Sequence, residues 1–295
     1  MPRAGVPAPD PIYVEARRAL LDALFALAPH GRAVIVAGAQ AVYMHTGDAD
    51  LAVAPYTTDG DIALDPALLG SLPELGTAME KAGFRLDPDD RQIEPGVWLT
   101  PARVAGADGL IPVDLIVPEA VADERGRRAA RLDAHGDRAA RKARGLEAAL
   151  IDHRRMTIGA LDPTDLRSIE AEVAGPAALL VAKAHKVADR VAVGRDDRME
   201  IKDAADVFRL MQTTKATEVG ATLAALRHEE IAGEVTEEAL AHLDALFGRR
   251  GRVGIDMAGR ALRTAVPPRR IEVVCVAYVG QLLDVAGGMA RSTRG

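Results

Sequence analysis

The sequence predicts a mixed α/β fold in two parts: a sheet domain over residues 1–165 and an all-α lobe over residues 166–295. Three observations predict it. Short β-rich apolar runs alternate with helical patterns through the first half. From Gly175 onward apolar residues recur at helical spacing. The chain has 295 residues, 48% hydrophobic and 27% charged, enough for one large domain or two ordinary ones.

The elements follow in order. Pro9-Asp10-Pro11 predicts a helix start, with Asp10 as N-cap and Pro11 in the first turn. The helix should cover residues 12–28, with Ala16, Leu20, Leu24 and Leu27 on one face. Residues 33–37 predict a strand, and Gly38 opens a helix. Residues 56–65 predict a strand containing Asp59-Gly60-Asp61, and residues 66–69 and 74–82 predict helices. Runs 96–104 and 111–117 flank Gly106-Ala107-Asp108-Gly109, a hairpin signal. Residues 145–151 and 156–161 are expected to be further strands. Helices are expected over 179–193, 199–211, 218–226, 236–247 and 271–285.

Composition excludes several classes. Aromatic residues make up only 3%, so the core must be built from Ala, Val and Leu, and base-stacking platforms are not expected. The net charge of −6 argues against a generic nucleic-acid coat, though it leaves room for a local basic groove. Residues 120–155, where Arg125, Arg127, Arg128, Arg131, Arg138, Arg141, Lys142, Arg144, Arg154 and Arg155 cluster, read either as a solvated face or as a groove for the phosphates of a polynucleotide acceptor. The single cysteine, Cys275, lies in an apolar run and reads as a core residue; it forbids an internal disulfide. No apolar run approaches the ~20 residues of a membrane span, and no stretch has the layout of a signal peptide. A reducing cytoplasm is therefore expected, with no membrane partner.

Chemistry concentrates at two places. Asp59 and Asp61 would project from one face of a strand, whose side-chain period is two. Asp114 lies within Val113, Leu115 and Ile116, where an unpaired carboxylate is costly to bury. Such carboxylates suit Mg²⁺ or Mn²⁺, hard cations that take oxygen ligands and bridge to substrate phosphates. In the second half, Lys183, Lys186 and Arg190 fall at i, i+3 and i+7, and Asp203 and Asp206 share a face of the next helix. His45, His135, His153 and His185 have no metal-ligand spacing and read as surface or structural groups; Trp98 reads as core.

The order of these features, a strand ending in Gly38-Ala39, then Thr57-Thr58-Asp59-Gly60-Asp61, then Asp114 in a strand, resembles the nucleotidyltransferase fold superfamily. The run from Leu179 through Lys183, Lys186 and Arg190 to Lys202-Asp203-Ala204-Ala205-Asp206 is similar to the signature of the AbiEii-like group. That group includes nucleotidyltransferase toxins of bacterial toxin–antitoxin systems and their mycobacterial MenT relatives. The resemblance spans roughly residues 33–212. It implies a nucleotidyltransferase-type mixed sheet domain followed by a helical lobe, with the active site in the cleft between. It implies Mg²⁺-dependent transfer of a nucleoside monophosphate from an NTP to an acceptor hydroxyl, with release of pyrophosphate.

The 3′ end of tRNA, or another RNA, is a candidate acceptor, and an antitoxin protein a candidate partner. Asp59, Asp61 and Asp114 would hold metal, and Asp114 would help deprotonate the acceptor. Gly38, Ala39, Thr58, Lys183, Lys186 and Arg190 would bind the nucleotide, and Asp203 would complete the centre, with Lys202 and Asp206 in support. Two departures stand out: Ala39 where Gly or Ser is usual, and Gly60 where a bulky apolar residue is usual. A small-molecule acceptor, or a relative that has lost catalysis and serves as a binding protein, are the alternatives.

Overall fold

The computed structural model describes residues 9–47, 56–86, 95–104, 106–124, 128–194 and 201–292. The helices are α1 Pro11–Leu27, α2 Gly38–Thr46, α3 Leu75–Lys81, α4 Pro176–Val193, α5 Lys202–Thr213, α6 Ala216–Leu226, α7 Gly233–Phe247, α8 Val253–Ala261 and α9 Pro268–Ser292. The strands are β1 Val34–Ala37, β2 Gly60–Leu64, β3 Arg85–Leu86, β4 Val97–Val104, β5 Ala107–Pro118, β6 Ala129–Leu132, β7 Gly136–Ala143, β8 His153–Gly159 and β9 Ser168–Ala174. The fold is mixed α/β with an open mixed sheet. Among the described residues, no helix is long and apolar enough to cross a membrane.

The chain divides into two compact units. One joins residues 1–41, 54–143 and 153–174; the other joins 42–53, 144–152 and 175–295. The expected boundary at residue 165 falls short of β9, which pairs with β1 and so closes the sheet at residue 174.

In the sheet unit the strand order is β3-β4-β5-β2-β1-β9-β8, with β7 beside β5 and β6 beside β7. Strands β2 and β5 run parallel, as do β1 and β9. Helix α1 begins as expected: the Asp10 carboxylate accepts from the Ile12 N–H at 2.9 Å, and Pro11 opens the first turn. Leu20, Leu21, Leu24 and Leu27 on it are buried. A Cβ on Gly60 would rest 3.4 Å from Leu20, so α1 covers the face carrying Gly60 and Val113. Because side chains alternate along a strand, Asp61 and Asp114 point to the opposite face.

The helical unit is built on Ala, Val and Leu. Pro176 opens α4, the Ala178 N–H donates to the Asp152 carboxylate at 2.9 Å, and Gly194 closes the helix in the left-handed region. Helix α4 packs on α5 and α7, and α6 packs on α9. Cys275 is fully buried, as expected.

Several expected elements differ. Residues 66–68 form a turn rather than a helix. Residues 147–150 form a short 3₁₀ helix where a strand was expected, because Glu147 turns back to accept from the Gly145 N–H at 2.7 Å. Part of the basic segment folds as the β6–β7 hairpin, and β9 has no counterpart among the expected strands.

Candidate active site

The sheet register brings two of the expected carboxylates together. Asp61 on β2 lies directly opposite Asp114 on the parallel neighbour β5. Neighbouring strands stand about 4.8 Å apart, so the two acids meet on one face. Asp61 is 7% exposed. Burial first, then the charge of Asp61, with a further push from Asp59, lifts the Asp114 carboxyl to about 6. Arg141 works against this: its Nη2 donates to Asp114 Oδ2 at 2.7 Å and its Nε to the same oxygen at 3.2 Å.

Asp59 sits one residue ahead of β2 rather than inside it. Hydrogen bonds from Thr57 and Gln40 hold Asp59 there. The Thr57 hydroxyl donates to the Asp59 carboxylate, and the Asp59 carbonyl accepts from Gln40 Nε2 at 2.9 Å. Gln40 also donates to the Ala16 carbonyl at 3.0 Å and accepts from Arg17 Nε at 2.8 Å. One buried amide thus ties α1, α2 and the Asp59 segment together. Sequence reasoning missed Gln40. A lone amide in an apolar helix start was the available signal, because a buried amide must find partners for its donors and its acceptor.

Gly38 has φ +65°, a conformation that favours glycine, and a Cβ there would collide with the Asp61 carboxylate. The glycine turn therefore receives Asp61 at the start of α2, where helix-end polarity favours negative charge. Ala39 follows, 2% exposed, and Thr58 is half-buried. A Cβ added at Gly60 would meet Leu20 and Val113 at 3.4–3.6 Å, ordinary contact.

Of the basic segment, Arg125 and Arg127 lie outside the described residues. Three others turn to acidic or carbonyl partners: Arg141 to Asp114, Lys142 to the Asp123 carbonyl, and Arg144 to Glu234 and Glu238, both at 2.8 Å. Arg128, Arg131, Arg138, Arg154 and Arg155 have exposed positions.

The helical unit holds the second constellation. Lys183 on α4 is 2% exposed. Its Nζ donates to Asp203 Oδ1 at 2.6 Å and to Asp206 Oδ2 at 2.7 Å on α5. Arg190 Nη2 stands 2.8 Å from the other Asp203 oxygen. Burial would raise the Asp203 carboxyl, but Lys183, Lys186 and Arg190 outweigh it and hold it far below the usual carboxylate range. Burial works against the Lys183 ammonium too, yet the two aspartates hold its pKa well above the usual lysine value. Lys186 is exposed and Lys202 half-buried. The sequence spacing thus brings Lys183, Arg190, Asp203 and Asp206 together, with Lys183 facing carboxylates. His185, placed beside it in sequence, is buried and donates through Nε2 to the Val235 carbonyl at 2.9 Å, a structural role.

Mg²⁺ or Mn²⁺ is the metal that the sequence implies. Among the described residues no group of three His, Cys, Asp or Glu side chains is assembled for a metal ion. The donor chemistry of the sheet site nonetheless fits. Mg²⁺ is commonly held by one or two carboxylates plus substrate phosphates, and the crowding that lifts Asp114 is relieved by a divalent cation. No protein-family model and no curated protein matches the chain.

Proposed function

We propose that this protein is a metal-dependent nucleotidyltransferase of the AbiEii-like kind, moving a nucleoside monophosphate from an NTP to an acceptor hydroxyl. One observation carries the reading: Asp61 and Asp114 stand in register on adjacent parallel strands, on the face away from α1, with Asp59 anchored beside them. Phosphoryl-type transfer asks little covalent chemistry of a protein; it needs placed charge and a placed nucleophile.

Asp61 and Asp114, with Asp59, would hold the cation. Mg²⁺ or Mn²⁺ bound there would neutralise the triphosphate and act as a Lewis acid. Asp114 would also help deprotonate the acceptor hydroxyl, the part that the resemblance assigns to it. The hydroxyl oxygen forms a bond to the α-phosphorus, the bond to the β-phosphate oxygen breaks, and pyrophosphate leaves. Gly38 and Ala39 open α2, whose N-terminus offers backbone N–H groups to anions. Lys183, buried against two carboxylates, is a positioning residue for Asp203 in this reading. Lys186 and Arg190 keep the nucleotide-binding part that the resemblance assigns to them.

Transfer to a tRNA 3′ end, and toxicity relieved by an antitoxin, belong to the same proposal. A small-molecule acceptor is the second reading, favoured by the turning of Arg141, Lys142 and Arg144 to internal partners. The test is incubation with Mg²⁺, each α-labelled NTP and total tRNA, beside Asp61→Asn and Asp114→Asn variants. Label on RNA from one NTP, lost in both variants, supports the reading. Label transfer that persists in both variants would overturn it. Binding to the acceptor that falls steeply with salt indicates RNA, and a shallow dependence indicates a small hydroxyl compound.

A further inference from the structure

Arg141, one of the basic cluster of residues 120–155, meets a proposed metal ligand, Asp114. The pairing is built into the backbone. Strand β7 runs parallel to β5 with Arg141 opposite Ile116, two residues beyond Asp114 on the same face. Arg141 Nε and Nη2 both donate to the single Asp114 oxygen Oδ2. The approach of β7 depends on Gly96. It has φ +79°, and a Cβ there would come within 2.5 Å of both the Arg141 nitrogen and the Leu115 carbonyl oxygen. The Gly96 N–H donates to the Arg138 carbonyl at 3.0 Å, and the Gly96 carbonyl accepts from the Leu115 N–H at 2.8 Å. The pair is reachable: the Arg141 and Asp114 side chains are 20% and 18% exposed.

We infer that Arg141 is a positioning residue that holds Asp114 before the cation arrives and passes to the triphosphate when the metal–nucleotide complex binds. The inference rests on the nucleotidyltransferase reading above. A guanidinium and a divalent cation compete for the same carboxylate oxygen. A planar fork suited to carboxylate is equally suited to phosphate. The exchange keeps the cluster of Asp59, Asp61 and Asp114 from standing unneutralised, and it couples cation entry to nucleotide entry. Arg141 therefore acts with opposite sign on the two ligands: it weakens binding of the cation alone and strengthens binding of the nucleotide.

The test uses the full chain and two probes. Mn²⁺ alone is titrated by electron paramagnetic resonance of the free ion. The α,β-methylene analogues of ATP, GTP, CTP and UTP are titrated by calorimetry with Mn²⁺ present. In the wild type, Mn²⁺ binding should weaken on Asp61→Asn. Arg141→Gln should bind Mn²⁺ alone about 10-fold more tightly and the preferred analogue about 10-fold more weakly. Mn²⁺ affinity that is unchanged or lower in Arg141→Gln, with the Asp61 dependence intact, overturns the role of Arg141 and leaves the nucleotidyltransferase reading standing. No Asp61-dependent Mn²⁺ binding in the wild type overturns both. Should Arg141→Gln fail to fold, Arg141→Lys carries the test. It keeps the charge and loses the fork, so Mn²⁺ affinity should hold while analogue affinity falls several-fold; unchanged analogue affinity refutes the inference.

Discussion

Replacing Lys183 by Met separates a buried structural ion cluster from a group that touches substrate. Methionine keeps the unbranched stem and removes the charge. In the folded protein the ammonium lies 2.6 and 2.7 Å from Asp203 and Asp206, and all three side chains are at most 4% exposed. Removing one partner of a buried pair costs about 3–5 kcal/mol, because the other charge stays buried. Here two carboxylates lose a partner, but Arg190 still stands at 2.8 Å from Asp203. A loss of about 3–5 kcal/mol is therefore expected, a large part of the ~5–15 kcal/mol that stabilises an ordinary domain.

The sign with pH follows from the shifts. The depressed Asp203 carboxyl stabilises the wild type above its unfolded value, about 3.9, and that contribution fades as pH falls toward the folded value. The raised Lys183 stabilises below about 10.4 and is lost only as pH rises through its folded value. Between about pH 5 and 10 the wild-type contribution is flat. In Lys183→Met, Asp203 loses its nearest cation and takes up a proton more readily than in the wild type, so the deficit should shrink from pH 7.5 to pH 5. Urea unfolding followed by far-ultraviolet circular dichroism reads both effects. The triple variant Lys183→Met/Asp203→Leu/Asp206→Leu should recover to within about 2 kcal/mol of wild type, since an apolar core replaces a buried ion cluster at little net cost. A loss under about 1 kcal/mol in Lys183→Met, with no pH dependence, would refute this reasoning and favour direct contact with substrate.

The remaining predictions concern the sheet unit and the core. Gln40→Met should cost about 2–4 kcal/mol, because it strands a buried Arg17 donor and two carbonyls; thermal unfolding measures it, and double mutants with Arg17 should be non-additive. Gly60→Ala should hold or raise stability by up to about 1 kcal/mol, since its Cβ meets only ordinary contacts, whereas Gly38→Ala and Gly96→Ala should lower expression and melting temperature. Cys275, buried and with its thiol pushed up to about 12, should resist a disulfide-exchange reagent at pH 8 until the chain unfolds; rapid labelling of the native protein would contradict the packing.

The sequence reading succeeds where period and punctuation agree. Asp10-Pro11 marked the start of α1, and the three- and four-residue spacing of Ile201, Ala204, Phe208 and Met211 marked α5. It fails where tertiary partners decide. Strand β9 carries three acidic or polar residues, Ser168, Glu170 and Glu172, and takes its strand form from pairing with β8 and β1. The glycine and arginine of the β6–β7 hairpin read as a solvated basic run, yet Arg141 belongs to Asp114. Spacing alone places Lys183 near Asp203 and Asp206, but it carries no information on burial, which makes the three groups a buried ion cluster. Gln40 is legible only in hindsight, as an amide whose three bonds cross from one element to two others.

The pairing of β1 with β9 has a consequence for the nascent chain. Strand β1 ends at Ala37 and its parallel partner begins at Ser168, about 130 residues later. At about 5–20 residues per second on the ribosome, one edge of β1 waits roughly 7–26 s for its neighbour. The waiting strand is Val34-Ile35-Val36-Ala37, apolar throughout and without a charge or proline to blunt it. Early synthesis is therefore the interval in which this chain is most exposed to edge-to-edge association, and a chaperone that covers short apolar strands would act there first.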